Sequence, residues 1–176
     1  MLRPSVIFGA HDRFLNLFAS MQSVLPVVPL AGASARFQPV WVEDVATAIA
    51  WCLNDPSTIG KTYECAGPRV YTLEQLVNLA GRLSGSQRAV IPLPDGLGVA
   101  QAHLMEMLPG VPLMSRDNMA SMRVPNVATP GALGLEALGI SAATLEAVGP
   151  TYLARQSGVD RFNQWRTLRG RARTSR

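Results

Sequence analysis

The chain has 176 residues, of which 48% are hydrophobic and 16% are charged, and its formal net charge is +4. This size and composition suit one compact domain and exclude a wholly disordered chain. No apolar run reaches the roughly 18–20 residues of a membrane span, and charged residues interrupt the first twenty positions, unlike a secretory signal. Two cysteines make no disulfide framework. We therefore expect a reduced, cytoplasmic setting, with a peripheral position at the cytoplasmic face of a membrane as an alternative.

The positive charge is concentrated at the end of the chain. Residues 155–176 contain seven Arg and one Asp, a net charge of +6, whereas the preceding residues contain 9 basic and 11 acidic side chains. An Arg-rich segment can contact the phosphates of lipid or nucleic acid, and a solvated terminus can have the same composition. The three Trp are scattered along the chain, so nucleic acid is not indicated as a partner.

Strands and helices alternate in the first half of the chain. Short runs rich in β-branched residues predict strands, and apolar residues that recur every three to four positions predict amphipathic helices. The predicted strands cover residues 2–9, 27–30, 37–42 and 61–66, and the predicted helices cover residues 14–26, 43–54 and 72–85. This alternation indicates a parallel α/β sheet.

Side chains specify the ends and faces of two of these helices. Glu43 and Asp44 are predicted to cap the second helix, because negative charge is favourable at a helix N-terminus. The apolar spacing predicts that the buried face of this helix carries Val45, Ile49, Cys52 and Leu53. Thr72 and Gln75 fit a capping box at the start of the third helix, and Gly85 is predicted to end it.

The pattern changes after residue 86, where Pro, Gly and Met become frequent. This change predicts a small subdomain over residues 87–154 and a flexible tail over 155–176. The predicted features of the subdomain are a strand over 88–94, helices beginning at Asp95 and Ser115, a helical turn near Leu135 within a loop over 125–139, and a last helix that opens at Ser141 and is interrupted at Pro150.

No side-chain cluster in the sequence indicates a catalytic or metal site. His11 and His103 are the only histidines, and neither lies in a metal-ligand cluster with Cys and carboxylate residues. Cys52 and Cys65 fit core positions of a helix and a strand better than the position of a nucleophile. The chain contains no Gly-rich phosphate loop of the dinucleotide or P-loop kind. Local patterns alone therefore predict an α/β domain and do not indicate its function.

Three segments, in order along the chain, resemble motifs of extended and atypical short-chain dehydrogenases/reductases, which are NAD-dependent epimerase/dehydratase-like proteins. The segments are Arg-Pro-Ser-Val-Ile-Phe-Gly at 3–9, Gln-Pro-Val-Trp-Val-Glu-Asp-Val-Ala at 38–46 and Gly-Lys-Thr-Tyr-Glu-Cys-Ala-Gly at 60–67. Within that family the chain resembles the accessory-subunit branch of NADH:ubiquinone oxidoreductase, the alpha-subcomplex subunit nine type, and its bacterial relatives. The similarity covers about residues 2–153.

The resemblance implies that the chain is the C-terminal part of a longer protein. The family begins with a strand, a Gly-x-x-Gly-x-x-Gly turn and a helix that holds the cofactor pyrophosphate, and it continues to a Tyr-x-x-x-Lys acid/base pair. Neither motif is present in this sequence. The implied fold is α/β: residues 1–86 supply the last strands of a Rossmann-like parallel sheet, and a small mixed α/β subdomain lies on the substrate side.

The resemblance also assigns binding residues. In relatives the Arg-Pro-x-x-Val segment passes the nicotinamide end of the cofactor, NADP or NAD in the full-length protein, so Pro4, Ser5 and Val6 are predicted to contact it, mainly through their backbone. The residues predicted to face a second ligand are Phe8, Arg13, Phe14, Arg36 and Gln38. Because Arg36 lies one residue from the position where nucleotide-sugar relatives carry a phosphate-binding Arg, it faces the other side of a strand, which disfavours a sugar-nucleotide substrate.

The functional expectation is a C-terminal portion of an NAD(P)-binding, short-chain dehydrogenase-like accessory subunit of a respiratory complex, structural in the full-length protein and not catalytic by itself. One alternative is part of an active NAD(P)-dependent reductase or nucleotide-sugar epimerase/dehydratase. Another is an adaptor that binds an anionic surface through the Arg-rich tail. The expected partners are the dinucleotide and either respiratory-complex subunits or a second copy that pairs with an uncovered sheet edge, and no metal is expected.

Overall fold

The computed structural model describes residues 1–94, 122 and 124–154. The strands within these residues are β1 (Leu2–Pro4), β2 (Ile7–Phe8), β3 (Val27–Ala31), β4 (Arg36–Phe37), β5 (Val40–Trp41), β6 (Tyr63–Cys65), β7 (Tyr71–Thr72) and β8 (Ala89–Leu93). The α-helices are α1 (Leu15–Val24), α2 (Val42–Asn54), α3 (Leu73–Leu83) and α4 (Leu145–Leu153), and 3₁₀ turns occur at Pro56–Thr58 and Leu135–Leu138. The helices predicted to begin at Asp95 and Ser115, and the tail over 155–176, lie outside the described residues.

Most of the strand pairing is parallel, as the alternation of strands and helices predicted. β1 pairs with β6, β2 with β5 and β3 with β8 in parallel, whereas β4 and β7 pair antiparallel. The β3–β8 pair has five residues in register, from Val27↔Ala89 to Ala31↔Leu93. β8 follows the predicted boundary at residue 86 and nevertheless pairs with a strand of the preceding segment.

Two clusters of buried side chains form the core of the described residues. The first brings α1, α3 and α4 together with β3, and its most buried large side chains include Leu15, Leu30, Leu73, Leu76 and Leu153. The second lies between α2, β5, β6 and the 3₁₀ turn at Leu135–Leu138. Its buried residues are Val40, Val45, Ala48, Tyr63, Cys65, Leu135 and Leu138. Removal of these apolar surfaces from water is the main force that holds the fold together.

Two strands that the sequence predicts as continuous are each broken in the middle. The strand predicted over 2–9 is divided into β1 and β2 at Ser5–Val6. The strand predicted over 37–42 is interrupted at Gln38–Pro39, which lie between β4 and β5. Pro39 has no N–H to donate to a ladder, and Ser5 and Gln38 use their side chains for bonds to other segments. Both breaks therefore occur where predicted binding residues lie.

The buried face of α2 differs from the predicted face. The buried residues of this helix are Asp44, Val45 and Ala48. The side chains of Ile49 and Leu53, predicted to be buried, are 47% and 81% exposed. Val45 and Cys52, the other two predicted residues, do pack with Leu135 and Leu138, so the covering segment reaches only part of the predicted face.

The predicted cap of α2 is wrong, and the cap of α3 is confirmed. The helix α2 begins at Val42 after Trp41, whose side chain makes no capping bond. At α3, the Thr72 hydroxyl accepts a bond from the Gln75 backbone N–H at 3.2 Å, and the Gln75 side chain accepts one from the Thr72 N–H at 2.9 Å. Gly85, with φ of +71°, follows the end of α3 as expected for a glycine stop.

The last helix starts later than its predicted start at Ser141. Thr144 is the cap of α4, because its hydroxyl accepts a hydrogen bond from the Ala147 N–H at 3.2 Å. The helix continues through Pro150 to Leu153 instead of being interrupted there. The helical turn predicted near Leu135 is present as the 3₁₀ turn.

Candidate functional site

The candidate site lies at the carboxyl ends of β1 and β6. Ser5 directly follows β1, and its backbone N–H donates to the Cys65 carbonyl at the end of β6 over 2.9 Å. Gly67 lies two residues beyond β6, and its carbonyl accepts a hydrogen bond of 2.7 Å from Nε2 of Gln38. Ser5 and Gln38, two predicted binding residues, are thus brought to the same edge. Open α/β sheets bind their ligands at the carboxyl ends of their strands.

Asn126 connects Ser5 with the stretch that contains Gln38. The Ser5 hydroxyl is 2.6 Å from Oδ1 of Asn126 and 3.2 Å from the Asn126 carbonyl oxygen. The Asn126 N–H donates to the Arg36 carbonyl at 2.8 Å, and the Gln38 N–H donates to the Asn126 carbonyl at 2.9 Å. A residue 121 positions away from Ser5 therefore bonds to both groups of predicted binding residues.

The loop that carries Asn126 is fixed by further side chains. The Ala128 N–H donates to Oε1 of Gln38 at 2.9 Å. The Glu64 carboxylate accepts from the Thr129 N–H at 2.6 Å and from the Thr129 hydroxyl at 3.2 Å. Each acceptor is an amide or carboxylate oxygen on the sheet, so the loop over 126–129 is held against the edge by polar contacts.

Gly67 allows the chain to pass closely behind Gln38. A Cβ atom at position 67 would collide with the Pro39 carbonyl oxygen. The backbone after β6 therefore approaches the break between β4 and β5 more closely than a residue with a side chain permits.

The loop after β2 is organised by the carboxylate of Asp12. Its Oδ1 accepts from the Leu15 N–H at 2.6 Å and its Oδ2 accepts from the Gly9 N–H at 3.1 Å. The Tyr152 hydroxyl in α4 donates to the same Oδ2 at 3.1 Å. Burial raises the pKa of Tyr152, and the adjacent Asp12 charge raises it further, so the hydroxyl stays protonated as a donor. Asp12 thus begins α1 and ties the loop to α4.

Phe14 and the two predicted cations lie beside one another in the fold. The Phe14 ring is 5.4 Å from the Phe37 ring, centroid to centroid, at an interplanar angle of 52°. This contact brings the stretches that begin with Arg13 and Arg36 side by side. Both Arg side chains are exposed, and neither has a hydrogen-bond or ion-pair partner among the described residues. Each exposed Arg thus directly precedes one of the two contacting rings in the chain, and the Phe37 ring itself is buried.

The other predicted binding residues have different environments. Pro4 is exposed and pairs with Cys65 across the β1–β6 ladder. Val6 is half-buried and packs against the first core cluster, and its carbonyl accepts from the Val40 N–H at 2.9 Å. Phe8 is 1% exposed and lies within the core. Its ring is therefore closed to a ligand in this arrangement.

Some of the other site residues have a local sequence signal, and others have none. Asp12 stands three residues before Leu15, the spacing at which an Asp caps a helix. Asn126 and Tyr152 have no comparable local signal, because their bonds are to residues more than a hundred positions away. Burial raises the pKa of the Cys65 thiol, with Cys52 adding to the shift, which agrees with the core position predicted for Cys65.

The chain is 35% identical over 150 residues to the mitochondrial protein NADH dehydrogenase (ubiquinone) 1 alpha subcomplex subunit 9 of Mus musculus, and this match covers 83% of the chain. It belongs to the subunit 9 family. The match covers 39% of the mouse protein, so the chain spans well under half the length of this relative. No protein-family profile matches the chain.

Solved structures show the fold of this subunit 9 relative. A nucleoside-diphosphate-sugar epimerase from Staphylococcus aureus is similar with a TM-score of 0.57 at 16% identity, covering 87% of the chain and 50% of the epimerase. A dTDP-4-dehydrorhamnose reductase from Bacillus anthracis, solved in complex with NADP, is similar with a TM-score of 0.52 at 14% identity, covering 88% and 45%. The Rossmann-like α/β fold predicted from the sequence is confirmed.

No helix among residues 1–94 and 124–154 is long and apolar enough to cross a bilayer. Within the same residues, no three His, Cys, Asp or Glu side chains come together as a group that could hold a metal ion.

Proposed function

We propose that this chain is the C-terminal portion of an NAD(P)-binding accessory subunit of respiratory NADH:ubiquinone oxidoreductase. In the whole protein it forms the wall around the nicotinamide end of the cofactor. The observation that carries the proposal is the position of Ser5 at the carboxyl end of β1, beside the end of β6. This is the edge at which parallel α/β sheets bind nucleotides, and the chain belongs to the subunit 9 family.

The residues that would face the cofactor are Pro4, Ser5 and Val6. They form the break between β1 and β2, where the backbone leaves the ladder. The Ser5 hydroxyl is already bonded to Asn126, so the contacts to the cofactor would come mainly from the backbone of this segment. The B. anthracis reductase, of similar fold, is a complex with NADP, and NADP(H) is the form that we propose here.

The second ligand would be anionic and would lie between Arg13 and Arg36. Both guanidinium groups are exposed and have no described partner, and Phe14 and Gln38 lie beside them in the chain. Arg is suited to carboxylate and phosphate groups because its planar fork donates two parallel hydrogen bonds. Phe8 is left out of this set because its ring is closed in the core.

The proposed role is structural in the full-length protein, and this chain is not catalytic by itself. Hydride-transfer relatives use a Tyr-x-x-x-Lys pair as the acid/base, and the single Lys of this chain, Lys61, has Ser57 four residues before it. The three described tyrosines also have other roles: Tyr152 bonds to Asp12, Tyr71 bonds to Glu146, and Tyr63 is buried in the second core cluster. A bound dinucleotide would stabilise the assembled protein through mass action.

The partners of the protein would cover a face that is apolar in this chain. The outer stripe of α2 carries Val42, Ala46, Ile49 and Leu53, which are all exposed. Beyond β6, β1 has no other strand partner among the described residues. Apolar patches and open strand edges of this kind mark protein contacts. We assign the face to subunits of the respiratory complex, at the surface of a membrane on its cytoplasmic side.

The experiment is to capture the natural protein from its own cells through a tag placed after Arg176. Nucleotides released by denaturation are identified by chromatography, and co-purified proteins are identified by mass spectrometry. We expect NADP(H) and respiratory-complex subunits. The variant Ser5→Trp fills the carboxyl end of β1 and should lose the nucleotide, whereas Ser20→Trp, on the exposed side of α1, should keep it. Capture of a well-folded protein without any dinucleotide would contradict the proposal.

A further inference from the structure

We propose that Asn126 is a positioning residue that couples the cofactor segment to the second-ligand segment, so that it sets the affinity for the dinucleotide without needing to touch it. This inference rests on the proposed function. Asn126 bonds on one side to Ser5, between β1 and β2, and on the other side to the backbone of Arg36 and Gln38. No other described residue bonds to both segments.

The hydrogen bonds of Asn126 define the geometry of the coupling. Its carbonyl oxygen accepts from both the Gln38 N–H at 2.9 Å and the Ser5 hydroxyl at 3.2 Å. Its side-chain oxygen accepts the Ser5 hydroxyl at 2.6 Å. A hydroxyl held by two oxygens of one residue has a fixed rotamer, and the backbone of Ser5 is fixed in turn by its bond to Cys65. The segment that would face the nicotinamide is thereby held in one conformation.

The effect on affinity follows from preorganisation. A loop that is already ordered loses less conformational entropy when a ligand binds. Removal of the Asn126 side chain leaves the Ser5 hydroxyl only the longer bond, 3.2 Å, to the carbonyl of residue 126. The Ser5 side chain and the loop that carries residue 126 are then held less firmly in the free protein, and binding has to restore the arrangement that fits. We expect the dinucleotide affinity to fall by about five- to ten-fold, the equivalent of one hydrogen bond.

Thr129 provides the matched control in the same loop. Its hydroxyl bonds to Glu64 at 3.2 Å and not to Ser5. The variant Thr129→Val keeps the shape of the side chain and loses this bond, so it loosens the attachment of the loop without releasing Ser5. Asn126→Asp keeps the oxygen that accepts the Ser5 hydroxyl, and it should rescue what Asn126→Ala loses.

The test uses the natural protein, tagged after Arg176, as wild type and as Asn126→Ala, Asn126→Asp, Thr129→Val and Ser5→Ala. NADPH affinity is measured by the fluorescence of the reduced nicotinamide, and thermal midpoints are recorded for each apo-protein. We expect Asn126→Ala and Ser5→Ala each to weaken binding about five- to ten-fold. A double variant that combines these two substitutions should bind no more weakly than either single variant. Asn126→Asp and Thr129→Val should bind like wild type at a temperature where all are folded.

Two results would overturn the inference in distinguishable ways. If wild type binds NADPH and Asn126→Ala binds equally well, or if Thr129→Val weakens binding as much as Asn126→Ala does, the coupling role is wrong and the proposed function stands. If the wild-type protein binds no dinucleotide, the proposed function is wrong and the inference fails with it.

Discussion

The side chain of Gln22 in α1 occupies the space that a side chain at Gly81 in α3 would need. Gln22 is fully buried, and a Cβ atom built at position 81 would collide with its amide oxygen. The amide is also fully used: Nε2 donates to the Val77 carbonyl at 2.8 Å, and Oε1 accepts from the Arg88 N–H at 3.1 Å. One polar side chain therefore joins α1, α3 and the start of β8, and a glycine makes the close approach possible.

Gly81→Ala should destabilise the protein by about 1–3 kcal/mol, the usual cost of overpacking a tight interface. Helix propensity favours Ala over Gly by about 1 kcal/mol, so a destabilised variant would show that the collision outweighs the local preference. Urea unfolding monitored by circular dichroism measures the free energy of unfolding. A variant more stable than wild type would contradict the close contact.

The contact is isolated by a double-mutant cycle with Gln22→Ala. That substitution leaves the Arg88 N–H without its partner and removes the second bond to the Val77 carbonyl, which remains bonded within α3, and it should itself cost about 1–3 kcal/mol. In its background the methyl group of Gly81→Ala enters the vacated space, so the two effects should be less than additive. Additive effects would mean that Gly81 and Gln22 do not restrict each other.

The sequence was most informative where structure depends on neighbours along the chain. The capping box at Thr72 and Gln75 and the alternation that predicts a parallel sheet both depend on local periodicity, and both are confirmed. The Ser5 segment was located by its resemblance to a family motif. Its place at the carboxyl edge is seen only in the fold, because strand pairing decides which segments meet.

The error on the face of α2 and the absence of Asn126 from the prediction share one cause, which is long-range contact. Ile49 and Leu53 have the same helical spacing as Val45 and Cys52, yet the segment around Leu135 covers only the latter pair. Nothing near residue 50 reports where residue 135 will pack. The contacts of Asn126 were not predicted for the same reason, since a lone Asn in a Pro- and Gly-rich stretch has many ordinary roles in turns.

Asp44→Ala should cost much more stability than Glu43→Ala, although the two acids are adjacent at the start of α2. The buried Asp44 carboxylate accepts from the Ala143 N–H at 2.8 Å, and its removal leaves that N–H unsatisfied at a cost of about 1–3 kcal/mol. Glu43 is exposed and contributes about 0.3–1 kcal/mol through the helix dipole. Chemical unfolding of both variants measures the difference, and equal losses would show that Asp44 acts only as a first-turn charge.

Tyr71 should titrate about two pH units above an ordinary tyrosine. Its hydroxyl donates to the Glu146 carboxylate at 2.9 and 3.0 Å. Burial first, and then Glu146, raise the pKa of Tyr71 from 10.0 to about 12. Because the folded pKa is raised, the stabilisation is complete below about pH 10, the ordinary tyrosine pKa, and is lost as the pH rises through 12. NMR of ¹³C-labelled tyrosine, assigned with Tyr71→Phe, measures the midpoint.

Two variants shift that midpoint in opposite directions. Glu146→Gln should lower the pKa of Tyr71 without restoring the ordinary value, because burial, the larger cause, remains. Arg69→Met should raise it, because the Arg69 charge favours the ionised phenol. Shifts of the same sign in both variants would mean that the Glu146–Tyr71 contact does not govern this titration.

Tyr152→Phe should destabilise the protein by about 2 kcal/mol, since hydrogen bonds to charged groups contribute about 1.5–3 kcal/mol. The Tyr152 hydroxyl in α4 donates a hydrogen bond to the Asp12 carboxylate. The same carboxylate accepts a hydrogen bond from the Leu15 N–H at the start of α1. Tyr71→Phe is the control, because it removes a tyrosine hydroxyl from the more exposed carboxylate of Glu146 and should cost about 0–1 kcal/mol. Urea unfolding ranks the two variants, and a Tyr71→Phe loss equal to that of Tyr152→Phe would show that the Asp12 contact adds nothing beyond an ordinary surface bond.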